Sequence, residues 1–322
     1  MHGNPGKGVF LDLETVDNGD LDRSKLSSGL RSWDWHDFSE PSQIPERIRP
    51  AEVVISNKCF LGRAAMQSAH RLKLVALAAT GTNNVDLQAA TDLGITVCNI
   101  RDYATHAVAQ HAITLMLNLL TAQAWYWQSV CRGDWNNFRQ FCLDDRPIRE
   151  ARGLNFGVIG YGVLGQATAA LATGLGMNVL IAERRGRSPR AGRLGFADIL
   201  HQADVLSIHS PLTDETLGLI DRDSMQAMKP GALLINTARG GIVNEQDLAD
   251  CLREGVIAGA GVDVLSQEPP PPDHPLLSPD IPNLLLTPHN AWASFTARQA
   301  ALDQLSDVIK AFDAGQPINR VN

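Results

Sequence analysis

The chain has 322 residues, 44% of them hydrophobic, and a formal charge of −7. That length suits two domains, each able to bury a substantial core. Both charge signs are interspersed along the chain, which argues against an extended surface for nucleic acid or anionic lipid. The five cysteines are odd in number and form no Cys-x-x-Cys pair. They read as reduced thiols of a cytoplasmic protein, not as a disulfide frame or a zinc site. No stretch matches a signal-peptide core or a membrane helix, which needs roughly 18 apolar residues.

In chain order, residues 9–13 form an apolar run that predicts a first strand, while residues 17–50 are polar and proline-dotted and predict little. Residues 52–56, 72–79 and 95–99 predict strands, with a helix over 86–93 closed by Gly94. Strands alternating with helices imply a parallel sheet covered on both faces. Residues 105–120 predict a long helix that is apolar on most faces, buried between layers or subunits. A domain crossing falls near residues 101–105. Residues 121–150 carry Trp125, Trp127, Trp135, Phe138 and Phe141. Such aromatic density in a polar segment fits an interface as well as a loop packed on its own domain.

The second half is organised around residues 155–165. An apolar run, Phe156 to Ile159, leads into Gly160, Gly162 and Gly165 at the G-x-G-x-x-G spacing. The first glycine permits a tight turn, the second a close approach to a pyrophosphate, the third close helix–strand packing. A helix over 163–175 would offer free N–H groups and its positive dipole end to phosphates. A second strand over 178–182 ends in Glu183, which can accept hydrogen bonds from the adenosine ribose hydroxyls. The alternation then resumes, with strands predicted over 204–209, 232–237, 258–264 and 284–287 and helices over 196–202, 222–228 and 245–254. A last helix over 294–312 is expected to return to the N-terminal unit.

Three of these strand ends carry chemistry. Arg239 lies in Asn236-Thr-Ala-Arg-Gly-Gly241, Asp263 and Glu268 in Gly261-Val-Asp-Val-Leu-Ser-Gln-Glu-Pro269, and His289 in Thr287-Pro-His-Asn290. Each has a bland reading: solvated arginine, solvent-facing glutamate, structural histidine. Their joint arrival at the ligand edge of a dinucleotide-binding sheet suits reduction of a 2-keto acid. Arginine can fork onto a carboxylate, histidine can pass a proton to a carbonyl oxygen, and glutamate can orient the imidazole and stabilise its charged form. His106 and His111 have no third ligand spaced to join them, so no metal is read.

With these residues in place, the chain resembles the D-isomer specific 2-hydroxyacid dehydrogenases over nearly its whole length, and looks closest to their bacterial glycerate dehydrogenase (hydroxypyruvate reductase) branch. The carrying motifs are residues 79–86, the glycine turn, His209-Ser-Pro-Leu-Thr213, Asn236-Thr-Ala-Arg-Gly240, Gly261-Val-Asp263 with Glu268-Pro269, and Pro288-His289. The resemblance implies an α/β fold of two doubly wound parallel-sheet domains. A Rossmann nucleotide-binding domain (residues 102–290) would be inserted into a flavodoxin-like catalytic domain (1–101 and 291–322). It implies that Arg239, Glu268 and His289 are catalytic, and that Thr80 and Gly81 join Arg239 in binding substrate. It further implies that Gly160, Gly162, Val163, Leu164, Gly165, Glu183, His209, Pro211, Thr237, Arg239 and Asp263 contact the cofactor, Asp263 at the nicotinamide amide. The expected activity is NAD-dependent interconversion of a small 2-keto acid, hydroxypyruvate or glyoxylate, with D-glycerate or glycolate, in a cytoplasmic homodimer. NAD is favoured over NADP because Glu183 would repel a 2′-phosphate, against Arg184, Arg185 and Arg187. The rival reading is a non-catalytic NAD(H)-sensing dimer. The departures from the family pattern are Glu183 where Asp is usual, Gln110 where Glu is common, and Asn290 where an apolar residue is commoner.

Overall fold

Residues 6–322 are described by a computed structural model. The chain forms two units, one of residues up to Ala104 with Ala293–Asn322, the other of Thr105–Trp292. Each is built on one parallel sheet.

The first unit contains strands β1 (Lys7–Phe10), β2 (Ser32–Trp35), β3 (Val53–Ser56), β4 (Leu74–Leu77) and β5 (Thr96–Cys98). Their order is β2-β1-β3-β4-β5 with every pair parallel, the flavodoxin-like arrangement. β3 and β4 are fully buried along their length, as continuous apolar runs must be when both faces are covered. One face is covered by the last helix, Phe295–Asp313, which Ser294 caps by accepting the Ala297 N–H at 3.2 Å. Its Ala301, Leu305, Val308 and Ile309 share a core with Phe10, Val53 and Leu74. The final helix therefore belongs to the N-terminal unit.

Two expectations are corrected here. The first strand is Lys7–Phe10 and not residues 9–13, because Asp12 ends it. The Asp12 carboxylate is buried and accepts the N–H groups of Asn57, Lys58 and Cys59, which turns the chain into the short 3-10 segment Leu13–Thr15. The segment 17–50, from which little was predicted, contains β2 at the sheet edge. There Trp33 and Trp35 stack with ring centroids 4.7 Å apart, standing on either side of polar Asp34. Four half-exposed residues give too short a pattern to detect from spacing.

The second unit contains β6 (Asn155–Ile159), β7 (Asn178–Ile181), β8 (Val205–Ile208), β9 (Leu233–Asn236), β10 (Gly259–Val262) and β11 (Leu284–Leu286). The order is β11-β10-β9-β8-β6-β7, again all parallel. Leu194 extends the β7 side through a parallel bridge to Ala182. From β6 the chain moves outward to β7, and from β8 it builds the sheet in the opposite direction. The crevice between the ends of β6 and β8 is thus the topological switch point of a Rossmann sheet. The long helix Thr105–Thr121 packs on this sheet, its Ala112, Ile113, Leu115 and Met116 joining Phe156, Val158, Leu233 and Ile235. A further helix, Gln123–Arg132, follows it. Among the described residues, no helix is long and apolar enough to cross a membrane.

Candidate active site

A parallel sheet delivers the loop after every strand to one edge. In the second unit that edge receives the loops after β6 through β11.

After β6 the three glycines serve three different needs. Gly160 has φ +89°, and a Cβ there would stand 2.6 Å from Ser210 Oγ and 2.7 Å from the Ser210 nitrogen. Its turn is thereby pressed against the His209–Pro211 loop after β8. A Cβ on Gly165 would lie 2.1 Å from the Gly160 carbonyl oxygen, so helix Val163–Gly174 packs directly on the turn. Gly162 caps that helix with φ −86°, and a Cβ there would meet nothing within 4 Å. The helix start, with exposed Val163 and half-buried Leu164 beside it, faces open space on the side where its first N–H groups lack intrahelical acceptors.

Glu183 closes β7 with its side chain only 3% exposed. Arg190 forks onto it, Nε to Oε2 at 2.5 Å and Nη2 to Oε1 at 2.8 Å, and the Arg184 N–H donates to Oε1 at 3.0 Å. The Arg190 fork and the Arg184 N–H hold the carboxyl down to about 2. Arg190 is absent from the sequence reading, which weighed only the three nearer arginines. The repeated arginines up to position 193 are the one signal that could have raised it.

After β8, His209 is half-buried, its Nε2 2.9 Å from Ser207 Oγ. Desolvation of the ring lowers its imidazole to about 4, so it stays neutral near neutral pH. Pro211, in the same loop, is exposed. His209 Nδ1 and, after neighbouring β9, Thr237 Oγ1 are buried without a protein hydrogen-bond partner. Buried polar atoms are normally satisfied. Two orphans at adjacent strand ends, next to a glycine turn with an open helix start, fit a polar ligand such as a dinucleotide.

The loops after β9, β10 and β11 carry the remaining residues. Arg239 is exposed and donates from Nη1 to the Ala238 carbonyl at 2.7 Å. A Cβ on Gly240 would lie 1.9 Å from the Leu265 carbonyl carbon. The arginine loop therefore rests on the backbone of the loop that carries Glu268. Glu268 Oε1 accepts the Leu265 N–H at 2.8 Å, and Oε2 lies 2.5 Å from His289 Nδ1. His289 has φ +51°, a left-handed conformation that is uncommon for a side-chain-bearing residue. It persists because its surroundings hold it. Asp263, buried at the end of β10, accepts the N–H groups of Asn290 at 3.1 Å and Ala291 at 3.0 Å, and Trp292 Nε1 donates to the His289 carbonyl at 3.1 Å.

Asp263 is thus committed to shaping the histidine loop, a role additional to the cofactor contact that the resemblance implies. Thr287 donates its hydroxyl to Asp263 Oδ1 at 2.6 Å, so it must accept from His111 Nε2, 2.9 Å away. These hydrogen bonds join the long helix to the loop that carries His289. Sequence reasoning considered His111 only as a possible metal ligand.

Thr80 and Gly81 follow β4 in the first unit. There Thr80 donates its hydroxyl to the Ile100 carbonyl at 3.0 Å, and its own carbonyl accepts from Asn99 Nδ2 at 2.7 Å.

The family model described as "D-isomer specific 2-hydroxyacid dehydrogenase, NAD binding domain" matches residues 113–291. The chain is also 44% identical to the glycerate dehydrogenase of Methylorubrum extorquens over 94% of its own length and 97% of the relative's. The chain belongs to the D-isomer specific 2-hydroxyacid dehydrogenase family. A hydroxypyruvate reductase of Blautia hydrogenotrophica is 35% identical over 98% of this dehydrogenase and 99% of the relative. A solved structure from Thermus thermophilus matches with TM-score 0.86 and 31% identity over 98% of this chain and 100% of that one. The dehydrogenase uses a nicotinamide cofactor to interconvert 2-keto and D-2-hydroxy acids. When bound, that cofactor supplies or accepts the hydride.

The glycine turn yields a paired expectation. Gly162→Ala should leave the thermal midpoint within about 2 °C, as a surface change does, yet weaken NADH binding at least about tenfold by filling the pyrophosphate approach. Gly165→Ala should instead destabilise the second unit by about 1–3 kcal/mol through overpacking. Thermal unfolding and calorimetric titration of both variants check this, and an unaltered NADH affinity in Gly162→Ala would move the phosphates elsewhere.

Proposed function

We propose that this dehydrogenase reduces hydroxypyruvate or glyoxylate with NADH, giving D-glycerate or glycolate, with Arg239, Glu268 and His289 as its catalytic residues. The observation that carries the reading is the Glu268–His289 pair, 2.5 Å apart, beside the Arg239 loop. Glu268 occupies Nδ1, so Nε2 is the nitrogen that donates a proton to the carbonyl oxygen. Glu268 stabilises the imidazolium before donation and keeps the ring aimed. Arg239 forks onto the substrate carboxylate and orients the carbonyl. A paired acid–base histidine favours catalysis over NAD sensing. The substrate class is supported by the names of the relatives, a glycerate dehydrogenase, a hydroxypyruvate reductase and, at 32% identity, a glyoxylate reductase of Korarchaeum cryptofilum.

The working form in this reading is a cytoplasmic homodimer. Trp127 is 69% exposed and Phe141 92% exposed, apolar surface available to a second subunit. A cavity of about 710 Å³ opens beside Leu233, Ala258 and Leu284, where β9, β10 and β11 begin. It lies at the sheet edge opposite the catalytic loops.

The test is steady-state NADH oxidation over a panel of 2-keto acids. Hydroxypyruvate and glyoxylate should give the highest kcat/KM, with pyruvate below them. Preference for a bulky keto acid would overturn the substrate, and no oxidation with any of them would overturn the activity.

A further inference from the structure

The loop after β7 leaves the sheet edge and returns to it. The Glu183 N–H donates to the Leu194 carbonyl at 2.8 Å, and the Leu194 N–H to the Ile181 carbonyl at 2.9 Å. Between these anchors lie Arg184, Arg185, Arg187, Arg190 and Arg193. Arg185 stands over the Phe196 ring at 5.5 Å. Arg193 Nη1 is 3.9 Å from Glu183 Oε1. Arg190 alone forks onto the carboxylate, touching both of its oxygens. Glu183 is nearly covered by this arrangement, while the Arg190 side chain remains 64% exposed.

We propose that Arg190, as the counter-ion of Glu183, sets the margin between NADH and NADPH in this dehydrogenase. The inference rests on the reading that the adenosine ribose lies at the end of β7. A bare carboxylate there would repel the 2′-phosphate, whose charge is close to −2. A carboxylate carrying a guanidinium fork is compensated, so the phosphate meets a neutral pair with an exposed cationic face. The same fork occupies lone pairs on both Glu183 oxygens that the ribose hydroxyls would otherwise use. Arg190 thus weakens the discrimination from both sides: it lessens the repulsion of the phosphorylated ribose and the attraction of the unphosphorylated one. The ligand class it admits is a 2′-phosphorylated adenosine nucleotide.

The experiment measures dissociation constants for ADP-ribose and 2′-phospho-ADP-ribose by calorimetry, without turnover. In the wild-type protein the two should differ by less than about tenfold. Arg190→Met should raise the ratio of the phosphorylated to the unphosphorylated constant by at least about tenfold, and Arg190→Lys should hold it within about threefold of wild type, since charge is kept and the fork lost. Retained ADP-ribose binding certifies that the Met variant is folded. A ratio within about twofold of wild type in Arg190→Met overturns the role of Arg190. So does a Lys variant displaced as far as Met, because charge compensation would then not be the cause. If ADP-ribose fails to bind the wild-type protein, the nucleotide site itself falls, and this inference with it.

Discussion

His289→Asn should lower kcat for keto-acid reduction by about 10²–10⁴-fold, the usual contribution of a positioned general acid. Asparagine keeps a polar group near Glu268 and tolerates the left-handed backbone that the position requires, φ +51°. The loss should therefore fall on proton transfer and leave folding intact. NADH binding should change little, which separates the effect from damage to the cofactor half. Glu268→Gln should lower kcat as well, because a neutral amide compensates the charged imidazole less than a carboxylate does. An unchanged kcat in Glu268→Gln would mean that the 2.5 Å contact does not operate in the working enzyme. A His289→Asn variant with kcat within threefold or so of wild type would remove His289 from proton transfer altogether.

Arg239→Ala should lower kcat/KM by at least about a hundredfold, because loss of a charge-assisted bidentate contact costs roughly 3 kcal/mol or more and each 1.4 kcal/mol or so is tenfold. Arg239→Lys should recover little of this, since a point charge does not reproduce the planar fork. The guanidinium is exposed and bonded only locally, to the Ala238 carbonyl at 2.7 Å, so folding should be indifferent to the change. Steady-state kinetics on both variants, with thermal unfolding as the control, decides the matter. Unchanged kinetics in a folded Arg239→Ala protein would place carboxylate recognition on another residue.

Much of this architecture was legible in the chain, for a local reason. Each βα unit carries its own signals within about twenty residues: an apolar run, a turn residue, a helical period, a cap. Asp86, Asn244 and Ser294 accept N–H groups of their own helices, and Gly255 leaves one at φ +70°. Gly160, Gly162 and Gly165 declared a dinucleotide turn by spacing. A parallel sheet sends all its following loops to one edge, so Arg239, Glu268 and His289 could be assigned a common edge before any distance was known.

The sequence by itself therefore determined the fold class, the family and which strand ends carry Arg239, Glu268 and His289, because these depend on periodicity and on residue type at a strand's end. Tertiary structure decided what the side chains at that edge do to one another. Asp263 ties down the histidine loop from another strand. His111 reaches Thr287 across 176 positions of chain. Arg190 returns seven positions to Glu183 because Leu194 anchors its loop to the sheet. Such contacts depend on where a loop comes back, and the return is set by hydrogen bonds that close only in the folded sheet. Periodicity carries no record of them.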